Sequence, residues 1–341
     1  MLGRNVKKTL NNHNFNLLFQ PIKNLIKDSP IVANLESPLT LSKEKSLEET
    51  KSPIFSGNPK IVKQLAKNNF IALSLANNHI FDKGKSGFIN TKSILEGFNI
   101  KCFGAGLSLK EATKPARIKI DGCEISFFGA SYRPIAKSGS PGVNYMYSDL
   151  LIKTIKKEKK LKKENIIIVF LHTGIEMLDF PLPRDQKVSK EIIKAGADLV
   201  IGGHPHCIQV KEKYRKKSIY YSLGDLIFDH NNKDVKNKFK KLSKNTSLHS
   251  IKLPRQKTLY SLILKITISA NKIQKIVEHI VKIPEKSEEC IGKPLSENKK
   301  KEWFKSFLKM NLAFKNSLEL KKKLKESEKI LLKRIQKGKK C

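Results

Sequence analysis

At 341 residues the chain is long enough to bury a substantial core, and a hydrophobic content of 39% is low but still globular. The 68 Lys and Arg against 31 Asp and Glu give a formal net charge of +37, which suits anionic partners: a phosphorylated substrate, an acidic polymer or an anionic lipid surface. Five cysteines (Cys102, Cys123, Cys207, Cys290 and Cys341), odd in number and without C-x-x-C spacing, exclude a disulfide framework.

In chain order, the first informative element is the apolar run Ile31-Val32-Ala33, which ends in Asn34-Leu35-Glu36-Ser37-Pro38. A polar, charged stretch over residues 37–53 reads as a loop near a site mouth. Residues 59–69 read as a short helix with Pro59 in its first turn. The strand-like run Phe70-Ile71-Ala72-Leu73-Ser74-Leu75 then ends in Ala76-Asn77-Asn78-His79-Ile80-Phe81-Asp82. A helix is expected over residues 87–98, with Ile89, Ile94, Leu95 and Phe98 on one face. Asp121-Gly122 between residues 117–120 and 124–129 is a hairpin signal. A basic amphipathic helix over residues 150–163 precedes the run Ile166-Ile167-Ile168-Val169-Phe170-Leu171, which ends in His172-Thr173-Gly174-Ile175-Glu176. Phe180-Pro181-Leu182-Pro183-Arg184 follows closely and is expected to line a pocket. Residues 184–195 read as a helix with Gly196 as its C-cap.

Next comes Ala197-Asp198-Leu199-Val200-Ile201, a buried strand running into Gly202-Gly203-His204-Pro205-His206. Glycines let the backbone pass close to an ion, and Pro205 fixes φ between the two imidazoles. Residues 229–254 are lysine-rich and weakly patterned, the signature of a mobile loop. Residues 259–268 and 273–283 read as paired strands around Ala270-Asn271. Beyond Pro284 the character changes to long basic amphipathic helix, with Trp303, Phe304, Phe307, Leu308, Leu312, Leu320, Leu324, Leu331 and Ile335 at near-helical spacing. Such a helix either packs back on the domain or meets a membrane surface or partner.

Strand–helix alternation with interposed hairpins predicts a layered α/β sandwich over residues 1–284, followed by a basic helical tail over residues 285–341. Four of the apolar runs share one grammar: a strand, then polar groups at its carboxyl end. In open α/β sheets such ends converge on one crevice. Glu36, Asn78, His79, His172, His204 and His206 are therefore expected to meet. Each alone has a bland reading: a hydrogen-bonded histidine, an Asn turn, a loop-capping Glu, and for Cys207 a buried strand residue rather than a ligand. Together, imidazole, carboxylate and amide donors without thiolate suit Mn, Zn or Fe in an open site.

These blocks, with Ile219-Tyr220-Tyr221-Ser222-Leu223-Gly224-Asp225-Leu226-Ile227-Phe228-Asp229, resemble the CapA family of poly-γ-glutamate capsule synthesis proteins, which have a calcineurin-like metallophosphoesterase fold. The resemblance implies a role for each matching position. Asn78 is a metal ligand and Glu36 the bridging carboxylate. His172 is the single imidazole ligand, and His204 and His206 supply one imidazole per metal. His79 is the catalytic group that protonates the leaving oxygen or steadies transition-state charge. Apart from the resemblance, Arg4, Asn34, Glu176 and Arg184 are the candidates for contacting substrate, with Arg184 equally readable as a solvated helix start.

Two departures from the family pattern matter. Family members open with a strand ending Gly-Asp-Val-Met-Leu-Gly-Arg, whereas this chain begins Met1-Leu2-Gly3-Arg4, inside that motif. On this reading one metal keeps Glu36, Asn78, His172 and His204, and the other keeps only Glu36 and His206. The intact Leu2-Gly3-Arg4 favours a start placed too far downstream over a true truncation. The second departure is Asp225, where the family often carries Asn; it is either neutral or adds an acidic group near the site.

The expected function is thus a metal-dependent hydrolase with one or two divalent ions, linked by resemblance to capsule polymer synthesis and acting on a phosphoester or polyglutamate. The alternative is a non-catalytic polyanion-binding accessory protein with a degenerate metal site. The lysines are spread along a chain also rich in Asn and Ile, as AT-rich codons produce, and no aromatic-interleaved RNA-binding pattern appears, so specific nucleic-acid binding is not expected. No secretory signal or apolar run of ~20 residues is present, which predicts a cytoplasmic protein as written. An upstream start would open an extracytoplasmic or membrane-associated location.

Overall fold

A computed structural model describes residues 19–27, 29–47, 54–228, 260–282 and 293–336. Arg4, Cys290, Cys341 and the lysine-rich stretch 229–254 lie outside the described residues.

Two parallel sheets form the centre. Strands β1 (Ile31–Asn34), β2 (Phe70–Ser74) and β3 (Lys101–Phe103) make the first, in that order. A small antiparallel ribbon, β4 (Ala105–Gly106) with β7 (Gly142–Val143), follows from its edge. The second sheet takes β5 (Ala116–Ile120), β6 (Cys123–Ser131), β8 (Ile166–His172), β9 (Leu199–Gly203), β10 (Lys211–Tyr214) and β11 (Lys217–Tyr220). Its order is β10-β11-β9-β8-β6-β5. Strands β6, β8, β9 and β11 are mutually parallel, and antiparallel β5 and β10 close the edges.

The apolar runs are continuous because both faces of these strands are buried. Alternate residues of β8 show it. Ile166, Ile168 and Phe170 face the first sheet, in a cluster with Ala72, Phe103, Phe127, Leu199 and Ile201. Ile167, Val169 and Leu171 face the opposite way. There they meet α3 (Asp149–Leu161) through Leu151 and Ile155, and α4 (Pro183–Lys194) through Ile192 and Ile193. On the far side, α1 (Val62–Lys67) and α2 (Gly84–Gly97) cover the first sheet with Val62, Leu65, Phe88 and Leu95. The layers run helix, sheet, sheet, helix, which is the α/β sandwich expected. Phe103 bridges the two sheets, its ring 5.9 Å from Phe127 and 5.6 Å from Phe170.

Strands β12 (Tyr260–Ser269) and β13 (Lys272–Lys282) form a long hairpin, with β14 (Lys293–Pro294) beside β13. Ala270 and Asn271 turn it with φ of 47° and 54°, the two left-handed positions of a tight two-residue turn. Helices α5 (Glu297–Asn316) and α6 (Leu318–Gln336) follow. Trp303, Phe307, Met310 and Phe314 of α5 and Leu320 and Leu324 of α6 join the cluster on the outer face of the second sheet. One face of the C-terminal helices thus packs back on the sandwich. Phe180 stacks on Phe314 at 5.9 Å, and Leu182 is fully buried in the same cluster. This corrects the pocket expected from residues 180–184: Phe180 and Leu182 are buried in the core cluster, Phe180 against Phe314 of α5. No helix among the described residues is long and apolar enough to cross a membrane.

Candidate metal centre

Backbone pairing brings the motifs together. His172 is in register with Gly203 across β8 and β9, and the Thr173 N–H donates to the Gly203 carbonyl at 3.0 Å. Asn34 pairs with Ser74 across β1 and β2, and the Leu35 N–H donates to the Ser74 carbonyl at 3.0 Å. Strand ends of both sheets therefore finish at one place. Gly202 lets the His loop leave β9 tightly, since a Cβ there would lie 1.9 Å from the Tyr221 carbonyl oxygen. His204 and His206 then take positive φ, 100° and 57°, conformations that non-glycine residues adopt at a cost of about 1–3 kcal/mol each.

Two groups of potential ligands result, with Glu36 common to both. In one, Glu36, His172 and His204 bring ligand atoms within 4.8 Å of one another. In the other, Glu36, His206 and Asp225 do the same. Asn78 joins the first group: its Oδ1 lies 2.9 Å from His172 Nε2, which is itself 3.4 Å from Glu36 Oε1. Ligands about 2.0–2.2 Å from one ion stand about 3.0–3.5 Å apart, so these spacings are those of neighbours in one coordination shell. The second group corrects the expectation that only Glu36 and His206 remain there. Asp225 completes three donors, with both carboxylate oxygens 3.0 Å from His206 Nδ1.

The residues fit a divalent cation. Among the described residues, Glu36 Oε1 and His204 Nδ1 are buried without hydrogen-bond partners, which apolar interiors rarely tolerate. Burial opposes charge on Glu36, but the imidazoles of His172, His206 and His79 outweigh it and hold its pKa well below the usual range. Burial drives the His204 pKa well below its ordinary value, keeping the ring neutral as a ligand must be. Burial also works against protonation of His206, yet the Asp225 carboxylate pushes its pKa up to about 9.

His79 stands beside this cluster, buried, with Nδ1 2.7 Å from Asp82 Oδ2. Asp82 also accepts the Phe55 N–H at 2.7 Å, and the Phe55 ring packs edge-on 4.3 Å from the imidazole. The ring is thus fixed on two sides. Asn77 does not reach the cluster; its amide donates to the Leu35 carbonyl and to Asn34 Oδ1, tying the first two motifs together.

The family model for the bacterial capsule synthesis protein PGA_cap matches residues 1–230. This chain belongs to the PGA_cap family. The capsule biosynthesis protein CapA of Bacillus anthracis is 32% identical to it over 237 residues, covering 67% of this chain and 58% of the relative. The PGA biosynthesis protein CapA of Bacillus subtilis is 32% identical over 235 residues, covering 67% and 61%. The chain spans about six-tenths of the length of these curated relatives. A crystal structure of a novel phosphatase from Mycoplasma pneumoniae aligns with a TM-score of 0.48 and 11% identity, over 86% of this chain and 92% of that one.

Within this PGA_cap chain the expected site residues divide cleanly. Glu36, Asn78, His79, His172, His204 and His206 come together. Glu176 lies close enough for its charge to act on His206. Asn34 is taken up in holding Asn77, and Arg184 packs against Tyr147 and Asp185. Its guanidinium lies over the Tyr147 ring at 4.7 Å, with Nε 3.8 Å from Asp185. Besides Asp225, whose role the sequence left open, Asp82 and Tyr132 reach site histidines without having been assigned a role from the sequence. Asp82 follows His79 by three positions in one motif, a signal that was readable. The Tyr132 hydroxyl, 3.5 Å from His204 Nε2, enters from the residue just past β6 and carries no such signal.

Proposed function

We propose that this PGA_cap chain is a metal-dependent hydrolase of the phosphoesterase type that serves synthesis of a poly-γ-glutamate or similar capsule polymer. The observation that carries this reading is the pair of three-residue ligand groups sharing Glu36, with the Asp82-supported His79 beside them. Glu36, Asn78, His172 and His204 would hold one ion; Glu36, His206 and Asp225 would hold the other. Divalent ions held there, Mn, Zn or Fe, supply Lewis acidity and a more acidic water for attack on a phosphoester or amide bond.

The chain's own residues do the rest. Asp82 accepts the Nδ1 proton of His79 and leaves Nε2 to deliver a proton to the departing oxygen or nitrogen. Neutral His204 and ionised Glu36 offer lone pairs at neutral pH. Buried walls from Phe55 and Phe228, whose rings pack on His79 and His206, lower the local dielectric and strengthen every polar contact in the site.

Metal stoichiometry by elemental analysis, together with hydrolysis of a model phosphodiester and of a γ-glutamyl amide, tests the proposal. Two ions per chain with Mn-dependent turnover of either substrate, lost in His206→Ala and Asn78→Ala, support it. A chain that takes up no ion and turns over neither substrate overturns it in favour of a polyanion-binding module.

A further inference from the structure

Helix α5 carries two apolar faces, and only one is used. Trp303, Phe307, Met310 and Phe314 are buried against the sandwich. Phe304, Leu308 and Leu312, spaced four apart and so stacked on one face, are 38%, 61% and 49% exposed. Each is preceded three residues earlier by an exposed lysine: Lys301 and Phe304, Lys305 and Leu308, Lys309 and Leu312. Exposed Lys315 stands three residues past Leu312. Three successive turns thus repeat one unit, an apolar side chain with an ammonium one turn away. Lys305 and Lys309 have no carboxylate partner among the described residues, whereas Lys300 pairs with Glu297 on the first turn and the charge of Lys301 acts on the same carboxylate.

From this pattern we infer that the outer face of α5 docks on an anionic lipid bilayer. The occupant must satisfy apolar groups and cations together. An interface of acyl chains beneath anionic headgroups does so, with leucine and phenylalanine inserted and lysine stems lying along the surface so that their heads meet phosphate. A second copy of the same face would set lysine against lysine. An acidic polymer would meet the lysines but leave Leu308 and Leu312 in water. The face is independent of the metal centre, so the inference stands or falls without the hydrolase reading.

Co-sedimentation of the full chain with phosphatidylcholine vesicles, with and without phosphatidylglycerol, tests it. Binding to the anionic vesicles is expected to exceed binding to the neutral ones at least tenfold. Lys305→Gln and Lys309→Gln should each weaken it about fivefold, the effect of one basic residue near an anionic surface. The double variant Leu308→Ser/Leu312→Ser should weaken it at least tenfold with an unchanged melting temperature, since both side chains are exposed. Indifference of the wild-type chain to anionic vesicles overturns the inference. So does loss of binding in the lysine variants with none in the leucine double variant, which would assign the face to a soluble polyanion. A dimer in solution that dissociates in the leucine variant would assign it to self-association and overturn the inference as well.

Discussion

His206 Nδ1 lies 3.0 Å from each carboxylate oxygen of Asp225, and the pair is enclosed beside Glu36. Without metal this arrangement favours the imidazolium, whose pKa rises from 6.5 to about 9. A folded-state pKa above the unfolded value adds stability that is complete below the unfolded value and disappears as pH climbs through the folded one. Chelator-treated protein should therefore lose melting temperature between about pH 6.5 and about pH 9. Metal must displace the same proton, so affinity at this position should rise over that interval. Asp225→Asn should flatten both profiles and reduce bound metal from two ions to one. Calorimetric metal titrations at several pH values read all three effects.

Glu36→Gln should empty both positions, because Glu36 is the carboxylate common to the two ligand groups. Elemental analysis should return less than one ion per chain, against one retained ion in His206→Ala.

Asp82→Asn should leave metal content intact and slow turnover. The Asp82 carboxylate fixes the His79 ring at 2.7 Å, and an amide there no longer supports the imidazolium. Removing a positioned general acid costs about 10²-fold or more in kcat, so His79→Asn should fall by that amount and Asp82→Asn by part of it, with KM nearly unchanged. Steady-state kinetics on the model phosphodiester checks the split.

Far from the metal centre, Glu158 accepts from Arg117 at 2.8 and 2.7 Å and from Ser126 at 2.6 Å. The Arg117 bond leads in holding its pKa below the usual 4.5. A depressed carboxylate contributes stability above its unfolded pKa and loses it as pH falls through the folded one. Glu158→Gln should cost about 2 kcal/mol at pH 7 and much less in acid below that folded pKa, in urea titrations at the two pH values.

Phe307→Ala should destabilise the whole chain by about 3–5 kcal/mol and keep one unfolding transition, because its ring stacks on Trp303 at 4.7 Å inside the main core cluster. A separate low-temperature transition would show instead that α5 and α6 melt on their own.

Local rules made most of this molecule readable in advance. Strand-to-polar transitions at Glu36, Asn78, His172 and His204 marked the crevice, because parallel strands buried on both faces must end together. The Asp121-Gly122 turn was legible as a hairpin signal, and the Ala270-Asn271 turn from the strand-like runs on either side of it. What escaped depends on long-range packing. From the sequence Asp225 reads as either neutral or an acidic group near the site, and only the fold of the loop leading out of β11 brings it to His206, nineteen positions away. The 180–184 segment looked like pocket lining because its partner, Phe314, arrives from a helix more than a hundred residues later. The two apolar faces of α5 were visible as spacing alone, and only packing told which one was buried.

Glu36 ties the two ligand groups through a single carboxylate, and that makes their occupancies one thermodynamic problem. If both positions fill as proposed, an ion in the His172 and His204 position would draw on the charge that an ion beside His206 and Asp225 also needs, and the two dications would repel. Reciprocity then requires each ion to weaken the other by the same factor. At scarce metal the chain would be half-loaded, and full loading would require a supply well above the first dissociation constant. The shared carboxylate would thereby spread the filling of the two positions over a wide range of free metal, with a half-loaded chain between them.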